Sequence, residues 1–154
     1  MTNNDNKQQT TPFSKLEEAA DDFLFLPDLT VAIFNNNPYA IIVVNSEGKI
    51  VLANIQAEFL SGYHRSELKG QMVEILIPDD LKDKHIKYRE IYMSEPVTRP
   101  MGLGLGLKLK RKSGAVIPVD ISFSPISTQK GIFVITTLRR QKQKQEIQED
   151  NDDS

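Results

Sequence analysis

The stretch Arg99–Gly114, RPMGLGLGLKLKRKSG, has the spacing that most invites a chemical reading. Glycines at 102, 104 and 106 could let backbone N–H groups approach a phosphate closely. A dinucleotide loop, however, places G-x-G-x-x-G where a strand turns into a helix. Here the third glycine comes one residue early, and leucines at 103, 105, 107 and 109 go on alternating, first with glycine and then with lysine. A period of two describes a strand with two unlike faces. The leucine face is expected to turn inward, and the bare glycine face to admit another backbone or a helix. The remaining reactive residues are few. His64 follows Gly62-Tyr63 and reads as a solvated loop residue, and His85 falls within a helical pattern; the two give no zinc-site spacing. Cysteine is absent, which excludes disulfides, thiolate metal sites and cysteine nucleophiles. No G-x-S-x-G, H-E-x-x-H or acidic pair on an apolar face occurs, so the chain does not read as an enzyme.

The elements that must position these residues follow from periodicity. Residues 1–12 are polar and aperiodic and are expected to be disordered. Residues 13–35 form a helical cap. Its first helix carries an apolar stripe of Phe13, Leu16, Ala20, Phe23 and Leu24, and Pro27 ends it; a short helix from Asp28 to Asn35 follows. Left alone that stripe would be exposed, so it is expected to cover the chain's own sheet or that of a second copy. AIIVVN (40–45), the SEG turn and KIVLAN (49–54) make a hairpin. Asn54 is placed to cap the next helix, which Gly62 ends, and Ser66 is a cap candidate for one further turn. A longer helix, Leu81–Met93, puts Leu81, His85, Tyr88 and Tyr92 on one face. After the leucine strand, Ile117, Val119, Ile121 and Phe123 share one strand face, and Ile132–Leu138 is apolar on both faces. The order predicts an α+β domain over residues 36–139 with a five-stranded antiparallel sheet and short helices on one face. Residues 140–154 are a polar, charged tail.

Composition narrows the partners. The 154 residues suit one domain, and a net charge of −2 favours neither nucleic acid nor an anionic membrane. Lys108, Lys110, Arg111 and Lys112 read as a soluble turn shielding a strand edge, without the aromatic platforms or recognition helix of a nucleic-acid site. No apolar run approaches the roughly 20 residues of a membrane span. The N-terminus lacks the regions of a signal peptide, and the chain reads as soluble and cytoplasmic.

Several words of the sequence, taken in order, resemble the PAS sensor domain: NNPYAIIVVNSEGKIVLANIQAEFLSGYHRSELKGQ, LIPDDLKDKH and RPMGLGLGLKLKRKSGAVIPVDISFSPI. The resemblance runs from about Asn36 to Leu138. It implies a PAS fold, with an antiparallel sheet and short helices around a small ligand pocket, in a module that senses or relays a signal, often as a homodimer, and acts on an effector in trans. The interior would be lined by Asn54, Phe59, Met72, Leu76, Tyr88, Tyr92, Leu103, Leu105, Leu107, Ile117, Val119, Ile121 and Phe123. That interior is either a cleft for a small ligand or a filled core in a ligand-free dimerisation adaptor. At Pro78, Lys82, His85 and Tyr88 the chain is similar to haem-binding PAS oxygen sensors, which implies His85 as the proximal ligand of a haem iron through Nε2. The family's distal position would fall at Leu103 or Leu105, with no donor for bound oxygen. The resemblance does not extend to flavin photochemistry, because light-sensing members use a cysteine that this chain lacks.

Overall fold

A computed structural model describes residues 27–102 and 105–142. The stripe Phe13, Leu16, Ala20, Phe23 and Leu24, and Leu103, lie outside the described residues. The chain divides into two compact units at Asn36. On the N-terminal side, helix α1 spans Pro27–Asn35. Proline suits a first helical turn because its φ is preset and its missing N–H would have no partner there. Asp28, the expected cap, sits within that turn instead.

The second unit is built on one antiparallel sheet. β1 (Ala40–Asn45) and β2 (Ile50–Ala53) form the first hairpin, with a register irregularity between Val43 and Val44. Two short helices, α2 (Ile55–Ser61) and α3 (Arg65–Leu68), two 3-10 turns (Val73–Leu76 and Asp79–Leu81) and α4 (Lys82–Ser94) cross to the far edge. There β3 (Lys108–Lys110), β4 (Val116–Thr128) and β5 (Gly131–Arg140) complete the sheet in the order β2-β1-β5-β4-β3. Side chains alternate along these strands. Ala40, Ile42 and Val44 of β1, Ile117 and Val119 of β4, and Val134 and Leu138 of β5 meet in the core with Leu68 and Leu76. Burying each large aliphatic side chain contributes about 1.5–3 kcal/mol. No described helix is long and apolar enough to cross a membrane.

The caps reward closer reading. Asn54 is fully buried. Its Oδ1 accepts from Ala57 N–H, capping α2, and from Ile41 N–H in β1, while its Nδ2 donates to the Tyr39 carbonyl. One side chain thus fastens the first strand to the helix after the hairpin. Gly62, at φ +78°, ends α2 in the left-handed region. His64 is solvated, as its setting suggested, and it also caps α3. Its Nδ1 accepts from Ser66 N–H, and Glu67 reaches back to the His64 N–H. Ser66 supports the ring with its hydroxyl, 2.7 Å from Nδ1.

The alternating stretch departs most from expectation. Among the described residues the strand is only Lys108–Lys110, although pairing reaches back to the Leu107 carbonyl, which accepts from Val119 N–H. Arg99 makes a separate bridge to Phe123. Between these anchors Gly102 and Gly106 take φ of +88° and +61°, which a strand does not tolerate. Among the described residues nothing lies within 4 Å of where their Cβ atoms would be. The positive φ is what calls for glycine at 102 and 106. The basic hairpin is also more than a solvated edge. Lys110 pairs with Asp79, Arg111 donates to the Leu60 and Phe59 carbonyls at the end of α2, and Lys112 pairs with Glu67 of α3.

Candidate functional site

His85 stands at the centre of the most constrained polar cluster. The 3-10 turn Val73–Leu76 buries Leu76 and, beside it, the charged Glu74. A carboxylate out of water needs partners. Both come from α4: His85 Nδ1 lies 3.0 Å and Arg89 Nε 2.7 Å from the same oxygen, Glu74 Oε1. Side-chain exposures are 8% for Glu74, 11% for Arg89 and 32% for His85. Burial pushes the Glu74 pKa up, but hydrogen bonds from Arg89 and then His85 outweigh it and hold the carboxyl below its ordinary value. An ionised carboxylate can only accept, so His85 Nδ1 carries the proton and donates. In the neutral ring Nε2 then keeps its lone pair, the arrangement in which a carboxylate orients an imidazole for a metal. Among the described residues Glu74 Oε2 is buried without a side-chain hydrogen-bond partner. Arg89 continues outward, donating from Nη1 to the Glu47 carbonyl in the first hairpin turn. Its side chain crosses Gly48, where an added Cβ would lie 2.5 Å from the guanidinium. No group of three or more described His, Asp or Glu residues could hold a bare metal ion.

Of the other expected lining residues, Leu76, Ile117 and Val119 are core, with Leu107, Tyr92, Ile121 and Phe123 packed against it. Tyr92 stacks on Phe123 at 5.5 Å between ring centroids, and its hydroxyl donates to the Val97 carbonyl. Burial raises the Tyr92 pKa above its ordinary value. Met72 is half-exposed at the start of its 3-10 turn. Asn54 is buried but committed to structure. Three residues turn outward. Phe59 is 70% exposed because Ala57 and Ser61, four apart, take the buried face of α2 and leave residue 59 on the opposite side. Tyr88 is 59% exposed because α4 presents His85, Arg89, Tyr92 and Met93 inward, one residue round from the expected face. Leu105 is 57% exposed beside the turn at Gly106. Glu74 and Arg89 were not foreseen, since each reads in isolation as a surface charge. A cavity of about 750 Å³ lies elsewhere, between α2 and the start of β4, and no residue of α4 lines it.

The profile of the PAS fold matches residues 28–141. The oxygen sensor protein DosP of Escherichia coli is 28% identical over 127 residues, 81% of this chain and 15% of DosP. The sensor protein FixL of Bradyrhizobium diazoefficiens is 30% identical over 97 residues, 63% of this chain and 19% of FixL. The chain therefore spans less than a fifth of the length of either relative. The PAS domain of an HTR-like protein from Haloarcula marismortui superposes with a TM-score of 0.62 at 17% identity, covering 81% of this chain and 99% of that one. The profile takes in the whole sheet and its helical layer in the order described above, and the chain belongs to the PAS family of sensor and signalling domains.

Proposed function

We propose that this domain is the input module of a sensor and that His85 serves as the axial ligand of a haem iron through Nε2. The observation that carries the reading is the bond from His85 Nδ1 to the buried Glu74 carboxylate, which sets the tautomer and the ring plane. Similarity to an oxygen sensor and to a second sensor protein supports it. Haem, if bound, would supply an iron able to take a diatomic ligand, and His85 would hold it through Nε2. In this reading the domain passes its signal to an effector, and homodimerisation through the stripe Phe13, Leu16, Ala20, Phe23 and Leu24 is part of the same proposal.

The test is an absorption spectrum of the full chain purified with haem supplied. The expected result is a Soret band in the wild type that His85→Ala loses. A wild type that shows no band after reconstitution overturns the reading.

A further inference from the structure

The cavity between α2 and the sheet has an apolar floor and a cationic rim. Ala40, Ile117 and Leu138, all buried core residues, form the floor, and the exposed ring of Phe59 stands over it. Arg111, Arg139, Arg140 and Lys142 contribute four cations, against one carboxylate, Asp120. That carboxylate is already engaged: Gln141 and Arg139 donate to it and hold its pKa below the ordinary value. Arg111 spends its donors on the Leu60 and Phe59 carbonyls, which leaves its charge without a carboxylate. The side chains of Arg140 and Lys142 have no ion pair or hydrogen bond among the described residues.

We infer that this groove binds a small organic acid with an apolar body, its carboxylate at Arg140 and Lys142 and its chain against Phe59 and the aliphatic floor. A volume of about 750 Å³ falls in the range of small-molecule sites. Unpaired cations around a low-dielectric floor raise the local concentration of an anion. An aliphatic floor with one exposed aromatic fits an acyl or aryl body better than the serial stacking platforms that a nucleic-acid strand needs. The site shares no residue with the His85 cluster, so the inference stands independently of haem.

Sodium decanoate is the probe, titrated calorimetrically into the full chain with decanol as the uncharged control. The expected result is saturable binding of decanoate, weakening as salt rises, with decanol at least about tenfold weaker. Arg140→Glu with Lys142→Glu should weaken decanoate by about tenfold or more. Phe59→Ser, at an exposed position, should weaken both probes while circular dichroism stays unchanged. His85→Ala should bind decanoate as the wild type does. The inference is overturned by equal binding of decanol and decanoate, by a charge-reversal variant within twofold of wild type, or by loss of binding in His85→Ala. Binding confined to phosphatidylglycerol vesicles or to an oligothymidylate, with none to free decanoate, overturns it as well.

Discussion

At the scale of single residues, Glu74 is the member of the cluster with most to lose. Removing its charge leaves Arg89, 11% exposed, without a counter-ion. Breaking a buried pair from one side costs about 3–5 kcal/mol. Glu74→Gln keeps the shape and a weaker acceptor, so urea unfolding should show a loss of about 3 kcal/mol. The sign of the pH dependence follows from the lowered carboxyl pKa. The contribution is present above the ordinary glutamate range and is lost as pH falls through the lower folded value. The gap between wild type and Glu74→Gln should therefore close on acidification, and a constant gap would contradict the ionised assignment. The helix that carries His85 was legible from periodicity, whereas the role given to His85 came from a family resemblance at Pro78, Lys82, His85 and Tyr88. Glu74 and Arg89 were not legible, because periodicity sorts residues by polarity whereas their burial depends on meeting each other.

At the scale of elements, turns and caps decide stability. Gly48 and Gly70 share φ of +86°, but only Gly48 has a neighbour, the Arg89 side chain. Gly70→Ala should cost the backbone strain alone, about 1–2 kcal/mol. Gly48→Ala should cost measurably more, and the excess should vanish in an Arg89→Ala background when the four stabilities are compared as a double-mutant cycle. Asn54→Ala removes a helix cap and leaves the Ile41 N–H unpaired, so a loss of about 2–4 kcal/mol is expected by thermal or urea unfolding. His64→Ala, at an exposed cap, should cost about 1 kcal/mol. The first hairpin, the Asn54 cap and the Gly62 stop could all be read locally because each depends on neighbours in sequence. The strand expected over 102–112 could not, since alternation records side-chain polarity and is blind to the positive φ at Gly102 and Gly106.

At the scale of the whole molecule, strand order sets the hierarchy of openings. β1 and β5 are central and β3 is a three-residue edge. Amides of Ile42 and Val134 should exchange slowest, and those of β3 much faster, in native-state hydrogen exchange. The order β2-β1-β5-β4-β3 was not legible in the sequence, since alternation alone states which face is wet and not which strands are neighbours. The basic hairpin carries a last consequence. Three successive residues, Lys110, Arg111 and Lys112, grip the turn at Asp79, the end of α2 and the start of α3 respectively. A shift of the segment that leads into α4 therefore pulls on the same three-residue run that holds two other helices. The basic run thus joins three helical segments, including the turn that precedes the helix of His85, through contacts outside the core.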